Sequence, residues 1–444
     1  MNHLSLLHGW LPPTVTALAI ASLALGIAWW RRAVWHWAIL AAGALCAALA
    51  IGRVIPPQYA GGSSYPRSFL VWAAMPMFAL AAAVWQWPHV AWWRRASAFV
   101  TLPLLVAFAG LQINAHYGYL PTIGDLLGAP LPGQVSANTI ERPPIRFARA
   151  EQHHRSARPP LASDIPDSPR STVPAAAYRI GLVAEVRIPA PVSHFRARPA
   201  FVWVPPWYFT HPWLQLPVLM LLAGTPSTPQ DWFRAGGALQ VAVAYARAHD
   251  GYAPAIVVPD PNGSLWGDTE CINGPQGQAE TYLTVDVPQF MHTHFNAPLD
   301  AQRWAIGGLS EGGTCALVLS ARNPHRFRTF ADFSGDFSPN MGSAASTLRV
   351  LYDGSYAAYI AHDPTRWFRF DASTGLAGDI AVGSKDFHCI RVEHLLAQTA
   401  RRDGLNVTLD VIPGGGHNFP TWHQSLANAF PWIAHRLSEP PARS

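Results

Sequence analysis

Lysine is almost missing from this 444-residue chain, in which Lys385 is the only one. Charge of any kind is scarce, at 13% of residues, while half of the residues are hydrophobic. From Met1 to Gly124 there is no Asp or Glu, and the only basic residues are arginines 31, 32, 53, 67, 94 and 95. The net charge of +5 therefore belongs to the N-terminal quarter, and the remainder is close to neutral. Nucleic-acid binding needs Lys and Arg clustered on a folded face, which this pattern does not offer. No C-x-x-C, H-E-x-x-H, P-loop or dinucleotide fingerprint occurs, so neither a metal nor a cofactor is implied. The apolar segments lack an acidic residue for a proton relay or ion site, which counts against a pump.

What the N-terminal quarter does contain is four long apolar segments, Pro13–Trp30, Ala33–Gly52, Ser68–Trp87 and Ala96–Ala115. Each has the roughly 18 to 20 residues that a bilayer crossing requires. Residues 1–121 are thus expected to form a transmembrane region of about four helices. The first segment reads as a retained anchor rather than a signal peptide, because no Lys or Arg precedes it and three more segments follow. Arg31/Arg32 and Arg94/Arg95 occupy the two shortest connections, which the positive-inside rule places in the cytoplasm. Everything after the fourth segment then lies outside. The tryptophans around the arginine pairs (Trp29, Trp30, Trp35, Trp92 and Trp93 among them) and Tyr59, Tyr65, Tyr117 and Tyr119 at the other face fit two interfacial belts. Arg53 and Arg67, in the outer loop, run against this orientation.

Residues 122–177 are rich in Pro, Arg, Ser and Ala without hydrophobic periodicity, and are expected to form a semi-extended linker. His153 and His154 read as a solvated pair there, since no further metal ligand has suitable spacing. Residues 178–438 alternate short buried apolar runs with helical stretches, and 439–444 form a tail. Two antiparallel edge strands ("RIGLVAEVRI", "AFVWV") precede the strands "LPVLMLLAG", "AIVVPD", "RWAIGGL", "RTFADFS", "LAGDIAVG" and "NVTLDVIP". Helices are expected over Asp231–His249, Ala279–Phe295, from Glu311, Ile390–Arg402 and Trp422–Leu437, with an irregular excursion over Phe337–Asp371. That order predicts an α/β fold with a doubly wound, mostly parallel sheet.

Gly308-Leu309-Ser310-Glu311-Gly312 fits G-x-S-x-G directly between a strand and a helix, where a sharp turn projects the serine hydroxyl at the carboxyl end of the sheet. A helix-capping serine is the bland reading of the same five residues. The base is expected at His417 in "PGGGHNF", after the last strand, and the acid at Asp386 in "AVGSKDFHC", with Asp336 as the alternative. The chain order Ser310, Asp386, His417 is the one an α/β-hydrolase requires. Oxyanion donors are expected from the backbone amides of Glu311 and Thr225. Cys271 and Cys315 should share one end of the sheet, which predicts a disulfide between them.

"AETYLTVDVPQF", "GGLSEGGTCAL" and "GGGHN", in this order, resemble the putative-esterase family of α/β-hydrolases, which includes esterase D-like enzymes and secreted mycolyltransferases. The likeness runs from about Arg179 to Leu437. With its apolar N-terminal segments the whole is similar to membrane-anchored actinobacterial members of that family. The resemblance implies a Ser-acid-His enzyme acting on acyl esters, with the nucleophile at Ser310, the base at His417, the acid at Asp386 and the oxyanion amides at Thr225 and Glu311. The chain departs from the mycolyltransferases in having Asp as the acid and Glu after the nucleophile. The expected function is a membrane-anchored serine esterase or acyltransferase at the outer face of the cell membrane, acting on an acyl-ester lipid or acylated sugar. The expected partners are that substrate and the bilayer. The alternative is a non-catalytic hydrolase-like envelope protein that binds lipid or organises a lipid-export complex.

Overall fold

The computed structural model describes residues 3–29, 34–54, 67–141 and 173–438. Arg31, Arg32, Tyr59, Tyr65, most of the expected linker with His153 and His154, and the tail 439–444 lie outside the described residues. The same holds for the side chains of Trp29, Trp35, Arg53, Arg67 and Arg94.

The N-terminal apolar segments form helices α1 (Leu11–Trp29), α2 (Val34–Val54), α3 (Arg67–Gln86) and α4 (Trp92–Tyr117). Helix α4 packs against α1 and α3, and α3 packs against α2. Ala19, Ala79, Leu105 and Phe108 are buried between them, the alanines letting backbones approach closely. Ser68–Trp85 and Arg95–Tyr117 are long and apolar enough to cross a membrane, whereas Leu11–Leu25 and His36–Ile51 are shorter apolar stretches.

Helix α4 stops at Gly118, whose left-handed backbone (φ 69°) returns its N–H to the Asn114 carbonyl. A side chain there would strike the Pro420 ring, so only glycine lets the helix end lie against the α/β domain of residues 178–438.

Residues 122–141, expected as linker, are instead folded onto that domain. Thr122 and Asp125 form a reciprocal capping box on a one-turn helix, Ile123–Leu126. Arg234 holds Asp125 at 2.8 Å, and strand β1 (Gln134–Val135) joins the main sheet. Backbone pairing, polar side chains and two isolated buried hydrophobic residues, Leu131 and Ile140, hold this segment, so hydrophobic periodicity had nothing to report.

The remaining strands are β2 (Leu182–Val186), β3 (Ala200–Val204), β4 (Val218–Leu222), β5 (Ala255–Val258), a small hairpin β6–β7 (Asn273–Gly274, Gly277–Gln278), β8 (Trp304–Leu309), β9 (Thr329–Phe333), β10 (Ala377–Gly383) and β11 (Asn406–Ile412). Together with β1, eight of them form one nine-stranded sheet in the order β1-β2-β3-β5-β4-β8-β9-β10-β11. Neighbours from β5 to β11 are parallel, while β3 is antiparallel to both β2 and β5. Every residue of β4, β8 and β9 is buried, as helices covering both faces require, and only β9 carries polar residues, Thr329 and Asp332. One face packs against α6 (Val287–Phe295) and α7 (Glu311–Arg322), the other against α5 (Ala238–Ala248) and α9 (Phe419–Ser438). Helix α8 (Cys389–Arg402) covers β10 and β11.

Two details differ from the expected elements. The stretch Asp231–His249 is broken at Gly236–Gly237 into Asp231–Arg234 and α5. The excursion after β9 is helical over Ala344–Tyr352, Tyr356–Ala361 and Phe368–Thr374, the first two started by the Ser343 and Ser355 caps rather than by a long apolar stripe.

Candidate active site

Strand β8 runs straight into α7, and Ser310 sits at the join with φ 55° and ψ −125°. A non-glycine residue adopts such a backbone only when its surroundings over-determine it. Here the Ser310 amide donates to the Phe333 carbonyl (2.9 Å), and the Ser310 carbonyl accepts from the Gly313 amide (2.8 Å). The two motif glycines have steric reasons. A Cβ on Gly308 would run into the Gly312 carbonyl, and one on Gly312 into the Leu222 carbonyl of β4.

His417 comes from the turn after β11. Gly415 packs against Gly383 at the end of β10, and the Gly416 amide donates to Thr421 Oγ1 at 3.0 Å. The imidazole stands edge-on to Trp422, 5.0 Å between centroids. Its Nε2 lies 2.9 Å from Ser310 Oγ, and its Nδ1 lies 2.7 Å from Asp386 Oδ2. An ionised carboxylate can only accept, so Nδ1 carries the hydrogen and Nε2 is left to accept from the serine. Burial pushes the Asp386 carboxyl up, but the hydrogen bond and charge of His417 outweigh it and hold the group below its ordinary value.

The alternative acid, Asp336, is engaged elsewhere. Its Oδ1 pairs with His388 Nε2 at 3.0 Å, and its Oδ2 accepts from Asn340. Asp379 lies within β10 against Thr408. Trp232 is fully buried with its indole N–H on the Leu222 carbonyl (2.8 Å).

A Cβ on Gly224 would sit 3.0 Å from Ser310 Cβ and 3.4 Å from the Glu311 amide nitrogen. That close approach sets Thr225 beside the start of α7, and Thr225, Ser310 and His417 line a common cavity. Asn262 Nδ2 donates to Glu311 Oε2 at 2.8 Å. The Thr225 hydroxyl has one hydrogen for two acceptors, the Gly267 carbonyl and Glu311 Oε2. A protonated Glu311 supplies the second hydrogen, in keeping with burial and the nearby Asp268 charge, which push this carboxyl well up. Burial does the same to Glu270 and brings Asp268 to about 6. Beneath the elbow, Asp332 accepts from the Gly335 amide (3.0 Å), and burial raises it to about 8.

Cys271 and Cys315 are bonded, with 5.5 Å between their Cα atoms, tying the loop that carries Asp268 and Glu270 to α7. Cys389 is free and buried, its Sγ 3.7 Å from His417 Nδ1. Among the described residues, Asp386, Cys389 and His417 have donor atoms close enough together to hold a metal ion. Two of those donors already face each other across the Asp386–His417 hydrogen bond.

The cavity of about 370 Å³ beside Ser310 extends between the α/β domain and helices α2, α3 and α4. Sequence reading missed its helix-side lining, which includes Ala48, Ile51, Phe69 and Ile113. No local signal marks these positions, since every face of such helices is apolar. Asn262 was missed as well. Its only signal is the loop after β5, at the same end of the sheet as the elbow.

Residues 195–433 match the family described as putative esterase. An uncharacterized protein of Corynebacterium glutamicum is 36% identical over 250 residues, which cover 55% of this chain and 58% of that protein. S-formylglutathione hydrolase of Mus musculus is 24% identical over 176 residues, covering 35% of this chain and 57% of its own. The chain thus spans less than two thirds of the length of these two relatives. The S-formylglutathione hydrolase of Paracoccus denitrificans is 23% identical over 249 residues, covering 50% and 84%. Among solved structures, an S-formylglutathione hydrolase from Agrobacterium tumefaciens superposes with a TM-score of 0.49 at 20% identity, covering 59% of this chain and 97% of that one.

Proposed function

From the premise that the chain belongs to the putative-esterase family of α/β-hydrolases, we propose that it is a membrane-anchored serine hydrolase whose nucleophile is Ser310. The carrying observation is the unbroken chain Ser310 Oγ to His417 Nε2 (2.9 Å) and His417 Nδ1 to Asp386 Oδ2 (2.7 Å). Ser310 Oγ attacks the ester carbonyl and its proton passes to His417 Nε2. Asp386 stabilises the imidazolium, and the amides of Glu311 and Thr225 receive the oxyanion. When the tetrahedral intermediate collapses, the C–O bond to the alcohol breaks and His417 returns the proton to the departing oxygen. Water or a second alcohol then attacks the acyl-serine, gives its proton to His417, and Ser310 recovers it as the acyl group leaves.

Residues 1–121 are proposed to anchor the enzyme through α1–α4, with the arginine-bearing connections inside and the hydrolase domain, about 178–438, outside. The Cys271–Cys315 bond supports that placement, because disulfides persist in oxidising compartments. The substrate is an acyl ester of a lipid or acylated sugar.

The test is a fluorophosphonate probe on the full chain in detergent. Ser310 should be labelled in the wild type and labelling should vanish in Ser310→Ala. A folded wild type that takes no label would sink the enzymatic reading and favour the non-catalytic envelope protein.

A further inference from the structure

The cavity beside Ser310 has two unlike walls. The hydrolase wall places Ser310, His417, Thr225 and Ser227 together, with Phe419 and Trp422 next to them. The facing wall is Ala48 and Ile51 of α2, Phe69, Leu70 and Ala73 of α3, and Ile113 and Tyr117 of α4. These positions lie at the C-terminal ends of α2 and α4 and the N-terminal end of α3, the ends opposite the expected cytoplasmic arginines. Ile51, Ala73 and Ile113 are exposed on the helices, so the apolar lining continues onto the surface that a bilayer would cover.

The two walls are held in register. Tyr119, two residues beyond α4, donates its hydroxyl to Asp231 Oδ2 at 2.8 Å and sets its ring edge-on to Phe419, 5.1 Å between centroids. Asn418, next to His417, donates to the His116 carbonyl of α4 at 3.1 Å. The spacing between nucleophile and helices is therefore built by direct contacts.

We infer that α2, α3 and α4 form the acyl-chain half of the substrate site, and that the substrate is a lipid ester engaged while its chain still lies in the outer leaflet. The inference rests on the serine-hydrolase reading. The chemistry is asymmetric in the way such a molecule is: polar groups gather at the Ser310 end, where the ester must sit, and the helix wall offers hydrocarbon. A charged or strongly polar acyl group would find no partner against Ala48, Ile51, Phe69 and Ala73, whereas a hydrocarbon chain is removed from water along its length.

The experiment uses the full chain in phosphatidylcholine/phosphatidylglycerol vesicles, with p-nitrophenyl palmitate in the bilayer and p-nitrophenyl acetate in solution. In Ala73→Trp, which fills the helix side of the cavity, the ratio of palmitate to acetate turnover should fall at least tenfold. Leu80→Trp, on an exposed site of the same helix outside the cavity, should keep the wild-type ratio. A second arm needs no catalysis: in Ser310→Ala, a palmitoyl ester carrying a mid-chain diazirine should crosslink within residues 48–51, 69–73 or 113–117. An unchanged ratio in Ala73→Trp, an equal fall in Leu80→Trp, or crosslinks confined to other residues overturns the inference. A wild type that turns over neither ester and takes no fluorophosphonate, yet crosslinks at those helices, fails the hydrolase reading instead.

Discussion

Asp386 and Glu311 are carboxyls on two sides of one serine, both withdrawn from water, and their surroundings push them in opposite directions. Burial alone would raise both. Asp386 faces His417, which can become a cation, and ends below its ordinary value. Glu311 faces the neutral partners Asn262 and Thr225 and the acid Asp268, and ends well above. Asp332, under the elbow, follows Glu311 and reaches about 8. Of these three carboxyls, only the one facing a group that can become a cation is held below its ordinary value. The comparison separates a carboxylate able to serve the reaction from protonated carboxyls that act as hydrogen-bonded posts holding Ser310 and the start of α7.

The sharpest way to break this contrast is to neutralise each member in turn. Asp386→Asn presents an amide that cannot hold His417 in the tautomer that accepts from Ser310, so ester turnover should drop on the order of 10⁴-fold. Near-normal turnover in Asp386→Asn together with an inactive Asp336→Asn would move the acid to Asp336.

Asp332→Asn tests the posts through stability. The folded-state value is raised from 3.8 to about 8, so the folded chain holds this proton more tightly than the unfolded one. Its contribution is fully present below the unfolded value and is lost as pH rises towards 8. Thermal unfolding of wild type should therefore weaken from pH 5 to pH 9, and Asp332→Asn should lose several degrees less over the same range. Identical slopes for the two proteins would mean that Asp332 is ionised in the fold.

The smallest effect is expected for Glu311→Gln, a neutral isostere of a group already neutral. Turnover should change by no more than a few-fold. A loss approaching that of Asp386→Asn would show that a charged Glu311 takes part in the reaction.

Much of the candidate site's geometry was legible in the sequence. "GLSEG" between an apolar strand and a helix pointed to the elbow, and "PGGGHNF" after the last strand pointed to His417. Asp386 and Asp336 could not be separated by order alone, because both follow strand ends between Ser310 and His417. The difference is His388, which pairs with Asp336 and leaves Asp386 to face His417. The fold of residues 122–141 was illegible for another reason. Arg234 and Tyr208, far along the chain, hold that segment at Asp125 and Ile140, and local periodicity carries no trace of such partners.

By itself the sequence determined the parallel sheet and the serine's turn. Both are local consequences of largely apolar strands and of glycines placed where a Cβ would strike the neighbouring backbone. Tertiary structure alone decided which carboxylate meets the imidazole, which acids remain protonated, and that α2–α4 stand across a cavity from Ser310. Those outcomes depend on which side chains, distant from one another in the chain, share one low-dielectric space, and packing decides that.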